Sequence, residues 1–550
     1  MSTPPPADLW ARARRWLAED PDPLTRAELA DLLDAGDVPA VADRFAGPLQ
    51  FGTAGLRGEL GAGPNRMNRA VVIRATAGLA GYLRAAGCRR VVVGYDARHR
   101  SADFAADAVA VLDGAGLEVL RLPRPLPTPV LVFALGRLAA DAGVMITASH
   151  NPPRDNGYKV YLHGRPLAPP ADAEIAARIA AVGPLAEVPR GSGGTTAGEE
   201  VVHDYLDALA RLPAVPDREV SVAYTPLHGV GGEVLTAAFD RLGFPPPVVV
   251  PEQAAPDPDF PTVPFPNPEE PGAMDLVLAT AQAHGTDLAL ANDPDADRCA
   301  VAVGGRVLRG DEVGCLLADH LLTHSTGGDR LVVTTVVSSS LLERIAAAHG
   351  VAYRRTLVGF KWILQAATDS PGRRLVLGYE EALGYCVGGP AGQPVVRDKD
   401  GIAAAVTVAA LAAALRREGR TLLDALDDLA RRYGVHHTDQ LSLRLPDRAQ
   451  IAAAVARFTQ EPPTTLGGLP VREVADLAAG WAGLPPTPGV RLALSDGWVV
   501  VRPSGTEPKL KCYLEVVAPV APGEAVAAAR ARAAAVAAGI RADLHRHATA

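Results

Sequence analysis

Thr147-Ala148-Ser149-His150-Asn151-Pro152-Pro153 follows directly on the apolar run Gly143-Val144-Met145-Ile146. The run reads as a buried strand and the polar stretch as the loop at its end, because a residue before proline is pushed out of helical geometry and Asn-Pro marks a turn. Ser149 is thereby offered on a loop, and Lys159 follows in Asn156-Gly157-Tyr158-Lys159. A serine flanked by a histidine and followed by a lysine suits a nucleophile with a proton acceptor nearby. The competing reading is a loop whose Ser and Asn only cap backbone groups.

The same alternation runs outward in both directions. Upstream, a segment of helical period from Arg69 to Ala86 leads to the apolar Arg90-Val91-Val92-Val93, the loop Gly94-Tyr95-Asp96-Ala97-Arg98-His99-Arg100-Ser101 and a second helical segment from Ala102 to Ala115. Downstream, past the link Gly191-Ser192-Gly193-Gly194-Thr195-Thr196, a strand at Val220-Ser221-Val222-Ala223-Tyr224 and a helix from Gly232 to Leu242 repeat it. A third round starts at Leu331-Val332-Val333-Thr334-Thr335. Strands alternating with helices of this length predict βαβ units. From about Leu441 the texture changes to short alternating strands and an Ala-rich last helix from about Gly523. The expected fold class is α/β, three similar α/β domains with mixed, mostly parallel sheets, plus a smaller α+β C-terminal domain. The expected boundaries are an N-terminal helical extension at 1–45, read as two short helices split by Asp20-Pro21-Asp22-Pro23, and domains at 46–195, 196–308, 309–436 and 437–550.

The 550 residues are 48% hydrophobic, with formal net charge −8 and pI near 5.9. Several cores can be buried, and the net negative charge argues against nucleic acid or an anionic membrane, which select clustered Lys and Arg, so neither is expected as a partner. No signal-type core and no apolar run of bilayer length occurs, and a cytoplasmic protein is expected. Cys88, Cys299, Cys315, Cys386 and Cys512 form no C-x-x-C pair and read as reduced thiols. Nothing in the sequence sets the oligomeric state.

Three more stretches carry chemistry. In Asn292-Asp293-Pro294-Asp295-Ala296-Asp297-Arg298, carboxylates at alternate positions after a strand can turn toward one point, a hard-oxygen set suited to Mg²⁺. An EF-hand is excluded, since its sixth position is Arg298 and its twelfth is Gly304; a solvated acidic turn is the bland alternative. Arg502-Pro503-Ser504-Gly505-Thr506-Glu507-Pro508-Lys509 combines a guanidinium fork, hydroxyls and a glycine that lets backbone N–H groups approach an anion, or else forms a polar turn. Gly378-Tyr379-Glu380-Glu381-Ala382-Leu383-Gly384 offers carboxylates to sugar hydroxyls, although acidic loops are commonly only solvated.

In this order the stretches resemble the loops of the α-D-phosphohexomutase family, the phosphoglucomutases and phosphomannomutases. Thr-Ala-Ser-His-Asn-Pro is similar to the family's active-site loop, whose serine carries a phosphoryl group. The Asp-x-Asp-x-Asp-Arg and Arg-x-Ser-Gly-Thr-Glu-Pro stretches resemble its metal and phosphate loops. The Glu380 loop resembles its sugar-recognition loop Gly-Glu-x-Ser, with Ala382 where many members have serine. The resemblance further implies that Arg57, in Phe51-Gly52-Thr53-Ala54-Gly55-Leu56-Arg57-Gly58, lies near the transferred phosphoryl group. By the same resemblance Gly359 and Lys361 contact substrate, and Lys399, in Arg397-Asp398-Lys399-Asp400-Gly401, reaches the substrate phosphate.

What the resemblance implies as a whole is four domains around a central cleft and an isomerase that interconverts hexose 1-phosphate and 6-phosphate of glucose or mannose. The implied catalytic residues are Ser149, Lys159, His150 and Arg57. Mg²⁺ would be held by phosphorylated Ser149 with Asp293, Asp295 and Asp297, and a sugar 1,6-bisphosphate would serve as activator. Substrate, a small phosphosugar, would meet Arg298, Gly359, Lys361, Glu380, Ala382, Lys399, Arg502, Ser504, Gly505 and Thr506. Trp16-Leu17-Ala18-Glu19-Asp20-Pro21-Asp22-Pro23 and Gly61-Ala62-Gly63-Pro64-Asn65-Arg66-Met67-Asn68 look like the branch that includes phosphopentomutases. A phosphopentomutase acting on ribose or deoxyribose 1-phosphate is therefore the alternative. A non-catalytic phosphosugar-binding protein is a different class, against which the intact Ser149, acidic triad, Arg502 and Lys159 argue.

Overall fold

The computed structural model describes residues 7–549 apart from Thr53, Pro213, 390–392 and 505–508. The chain forms two compact units. The first runs to Val307 and takes in Gly384–Val387 and Pro394–Ala410; the second comprises Leu308–Leu383, Gly388–Gln393 and the chain from Leu411 onward.

The first unit opens with three helices, Ala7–Glu19, Pro23–Asp34 and Val38–Arg44, one more than the sequence suggested. Asp22 ends the first break by accepting the Leu24 amide at 3.0 Å. The second break is made by Gly36 in the left-handed region, φ 65°, followed by Asp37, which accepts the Ala40 amide at 3.0 Å. The helices bury Leu9, Ala13, Leu29, Val41 and Phe45 against Ala62.

Behind them lies a sheet ordered Leu56–Glu59, Asp155–Leu162, Ala142–Ile146, Arg90–Tyr95, Glu118–Arg121 and Thr195–Thr196, with Arg165–Pro166 on the second of these. The strands from Ala142–Ile146 to Thr195–Thr196 pair in parallel, while Asp155–Leu162 is antiparallel to both its long neighbours. Thr195–Thr196, expected as linker, is an edge strand: two ladder pairs to Leu120 and Arg121 decide it, not its composition. The helices Arg69–Ala85, Ser101–Gly114 and Thr128–Arg137 complete the layers. The second sheet of this unit is ordered Arg306–Val307, Ala300–Val303, Leu288–Ala291, Val222–Thr225 and Val248–Val249, with the last three strands parallel.

In the second unit Ala352–Thr356, Arg330–Thr335 and Arg374–Glu380 are parallel, flanked by Gly310–Thr323, Leu341–Ala348 and Phe360–Thr368. Its C-terminal part is antiparallel throughout, in the order Val435–Arg444, Lys509–Ala518, Gly497–Pro503, Val490–Leu494, Leu469–Asp476 and Thr465–Leu466. Helices Arg448–Gln460 and Val526–Thr549 cover one face of it. The fold is thus the expected succession of α/β domains followed by an α+β domain. Among the described residues no helix is long and apolar enough to cross a membrane.

Candidate active site

Ser149 sits in the loop after Ala142–Ile146 with φ 53°, a left-handed conformation that costs a residue with a side chain of order 1–3 kcal/mol. The loop is held from below by a residue to which the sequence reading gave no role. Arg98, 4% exposed, donates to the carbonyl oxygens of Ser149 (2.6 Å), Asn151 (2.5 Å), Pro152 (2.8 Å) and Asp155 (3.1 Å). It lies beside Asp96 and over the ring of Phe260. The available signal was an Asp-x-Arg pair at a strand end, within the quoted loop that starts at Gly94. With the loop fixed, Ser149 Oγ donates to Asp293 Oδ2 at 2.5 Å and lies 3.2 Å from His150 Nδ1.

Strand pairing brings in the next two groups. The register sets Lys159 opposite Met145 and Arg57 opposite Gly157, so Arg57 reaches the serine loop and Lys159 the acidic loop from neighbouring strands. Arg57 donates to Asn151 Oδ1 at 3.0 Å. Close approach needs Gly157: a Cβ there would lie 2.6 Å from the Thr147 carbonyl oxygen and 2.9 Å from that of Leu56.

The acidic loop follows the buried strand Leu288–Ala291, and Asp293, Asp295 and Asp297 are at most 1% exposed. Each offers one oxygen within 4.8 Å of the others. Asp295 Oδ2 accepts from Thr128 at 2.6 Å and from Lys159 Nζ at 2.6 Å; Asp297 Oδ2 lies 3.1 Å from Lys159 Nζ and 3.3 Å from Lys399 Nζ. Arg298, whose amide donates to Asp293 Oδ1 at 3.0 Å, pairs with Glu269 at 3.0 Å. Gly401 allows the Lys399 segment to dock, since its amide meets the Ala296 carbonyl at 3.1 Å and a Cβ would lie 2.2 Å from the Arg298 carbonyl oxygen.

The electrostatics follow from that packing. Burial and repulsion from Asp295 and Asp297 push the Asp293 carboxyl up. Burial works against the Asp297 carboxylate too, but Lys159, Lys399 and Arg298 outweigh it and hold it below the usual range. Burial also opposes the Lys159 ammonium, and Asp295 and Asp297 more than restore it. His150 is driven well below its usual value by burial and by Arg298 and Arg57, so its ring is neutral at pH 7.

The triad is suited to a divalent metal on its own chemistry. Three buried carboxylates supply hard oxygens, and Asp295 Oδ1 and Asp297 Oδ1 are buried without a hydrogen-bond partner among the described residues.

Ser149, His150, Arg57, Lys159, the triad, Arg298 and Lys399 therefore converge within the first unit. The remaining expected substrate residues belong to the second unit. Gly359, φ 114°, precedes helix Phe360–Thr368, and Lys361 Nζ lies over the Trp362 ring. Glu380 ends its strand, 8% exposed, with Ala382 in the turn beyond. Arg502 is near the end of strand Gly497–Pro503, and the Ser504 amide donates to the Lys509 carbonyl at 2.8 Å. Gly505 and Thr506 lie outside the described residues.

Comparison with known proteins places these sites in context. The chain matches the phosphoglucomutase/phosphomannomutase alpha/beta/alpha domains I, II and III over residues 48–184, 203–306 and 309–433, and the C-terminal domain of the same family over 443–533. A Haemophilus influenzae protein named probable phosphomannomutase is 40% identical over 82% of this chain and 93% of its own. A Schizosaccharomyces pombe protein named probable phosphoribomutase is 36% identical over 91% of this chain and 92% of its own. A crystal structure from Thermus thermophilus, provisionally named a phosphomannomutase, superposes with TM-score 0.72 at 26% identity, covering 91% of this chain and 99% of that one.

Proposed function

The chain belongs to the phosphoglucomutase/phosphomannomutase family and is an intramolecular phosphotransferase of the isomerase class, and from that premise we propose that it interconverts the 1-phosphate and 6-phosphate of glucose or mannose. The observation that carries the reading is Ser149 Oγ, 2.5 Å from Asp293 inside a buried triad and within a ring of cations. Phosphoryl transfer asks for in-line positioning and positive charge around the equatorial oxygens, and Arg57, Arg298 and Lys399 around the serine loop support the second of these. Phosphorylated Ser149 gives up its phosphoryl group: the Oγ–P bond breaks, the bond to the sugar hydroxyl oxygen forms and the hydroxyl proton leaves to a base. The resulting bisphosphate returns its other phosphoryl group to Ser149 by the reverse step, and a sugar 1,6-bisphosphate is the expected activator.

Asp293, Asp295 and Asp297, with the serine phosphate, would hold the metal, which we take to be Mg²⁺ from the donor set. When bound it supplies charge neutralisation at the transferred group. Arg57 and Arg298 add to that positive charge. Lys159 is our first candidate for the base, once its carboxylate partners are engaged by a cation; neutral His150, 3.2 Å from Ser149 Oγ, is the second. To Lys361, Glu380, Lys399 and the Arg502–Ser504 segment we assign recognition of the sugar and its second phosphate.

Phosphopentomutase activity is the second reading, supported by the 36% identical relative named probable phosphoribomutase. Initial rates on the 1-phosphates of glucose, mannose, ribose and deoxyribose, with Mg²⁺ and trace bisphosphate, decide between them. Hexose kcat/KM more than about tenfold above pentose, about 1.4 kcal/mol, supports the first reading, and the reverse ratio replaces it.

A further inference from the structure

A cleft of about 640 Å³ opens in the second unit, walled by Ser340 and Arg344 on one side and by the two central strands of the C-terminal antiparallel sheet, with Arg491 and Trp498, on the other. Its charges are unevenly committed. Glu515, fully buried, is spent inside the fold: Oε1 accepts from Ser339 Oγ at 2.5 Å and the Ser340 amide at 3.0 Å, and Oε2 from Ser340 Oγ at 2.5 Å and Trp498 Nε1 at 2.8 Å. Arg355 pairs with Glu343 at 2.9 Å and Arg432 with Asp319 at 2.9 Å.

Arg491 has no carboxylate or hydrogen-bond partner among the described residues. Its guanidinium lies 4.4 Å from the centre of the Trp481 ring, and the Arg355 guanidinium lies 5.8 Å from the same centre. Burial and then the charge of Arg355 push Arg491 down to about 10, more than Glu473 and Glu515 restore. Arg344, exposed on helix Leu341–Ala348, is equally uncommitted. A second observation points the same way. His436, whose side chain is 2% exposed, lines the cleft; its Nδ1 is 3.2 Å from Glu515 Oε1, and its buried Nε2 finds no partner among the described residues.

We propose that this cleft is a second anion site that takes a small phosphomonoester, separate from the loop at Arg502. Guanidinium forks match phosphate oxygens in pairs, and the volume suits one sugar phosphate or nucleoside monophosphate. The ligand would join Arg344 of the α/β domain to Arg491 of the C-terminal sheet. Arg491 pairs in register with Val500, two residues before Arg502 and on the same face, so occupancy is transmitted toward the phosphate loop over about 7 Å of strand.

Calorimetric titration with inorganic phosphate, glucose 6-phosphate and AMP tests the site. The wild type is expected to show two classes of phosphate-dependent sites with at least one of these probes. Arg491→Met, which keeps Trp481 covered, is expected to lose one class, and Arg344→Ala to weaken the same class at least fivefold while its mutase kcat stays within twofold. The tightest probe identifies the source as sugar phosphate, nucleotide or free phosphate. A single class in the wild type with all three probes overturns the proposal. So does an unchanged second class in Arg344→Ala, an exposed position that folds even if Arg491→Met does not.

Discussion

At the scale of single residues, the loop carrying Ser149 depends on a buried arginine that holds its backbone. Arg98 spends its guanidinium on four carbonyl oxygens of one loop, and no other side chain presents enough donors in a fixed fork. Arg98→Met leaves those oxygens without their donor and the buried Asp96 without its counter-ion, which costs about 3–5 kcal/mol of stability. It is also expected to lower kcat about 100-fold with KM within threefold. Steady-state rates at 25 °C, well below the melting transition, separate loop displacement from simple unfolding: a lower Tm with unchanged kcat would mean that Arg98 only stabilises. Ser149→Ala removes the hydroxyl proposed to carry the phosphoryl group. Transfer of label from a ³²P-labelled sugar bisphosphate to the protein should vanish, and turnover should fall by at least about 1000-fold. Both residues stand in stretches singled out by reading the sequence, but only Ser149 had a recognisable chemical pattern. The role of Arg98 rests on contacts with residues more than fifty positions away, to which spacing gives no clue.

At the scale of elements, the site is assembled at the ends of strands, where loops can gather without burying unpaired backbone. Strands and loops around Ser149 and the acidic triad were legible because a continuous apolar run followed by Pro, Gly or alternating Asp is a local pattern. The third N-terminal helix and the edge strand Thr195–Thr196 were not, since short elements owe their existence to neighbours rather than to periodicity. Gly157 is where element packing controls the site. Gly157→Ala puts a methyl group 2.6 Å from the Thr147 carbonyl oxygen, and a loss of about 1–3 kcal/mol in urea unfolding is expected, with reduced kcat from displacement of the serine loop. Helix Gly310–Thr323 carries a pH-dependent term. His320 is pushed down to about 4 by burial and then by the neighbouring His324. The unfolded chain takes up this proton below about pH 6.5, whereas the folded chain resists until near pH 4. The helix therefore contributes fully above pH 6.5 and loses on the order of 3 kcal/mol as pH falls toward 4. Unfolding midpoints between pH 7 and 4 should drop less steeply for His320→Asn; identical slopes would remove His320 from the account.

At the scale of the whole molecule, the proposed metal site ties stability to the acidic triad. Three buried carboxylates repel one another and are relieved in part by Lys159 and Lys399, so a divalent cation should bind the folded chain far better than the unfolded one. Mg²⁺ at about 100 times its Kd should add about 2.7 kcal/mol to the unit that holds the triad, raising its Tm by a few degrees, and Asp297→Asn should abolish most of the rise. A Tm indifferent to Mg²⁺ in the wild type would exclude the triad as the metal site.

By itself the sequence determined the α/β class, the order of its loops and the kinds of chemistry each could support, because these are written in short windows: hydrophobic period, turn residues and runs of ligating side chains. Only the tertiary structure decided which windows meet. It placed Lys159 and Lys399, 240 residues apart in numbering, on one carboxylate of Asp297, set Arg98 beneath the serine loop, and assigned Gly384–Val387 and Pro394–Ala410 to the first unit while the chain on either side belongs to the second. The physical reason is that convergence is fixed by strand register and by buried contacts between distant segments, and neither the register nor the contacts leave a periodic trace in the residues that make them.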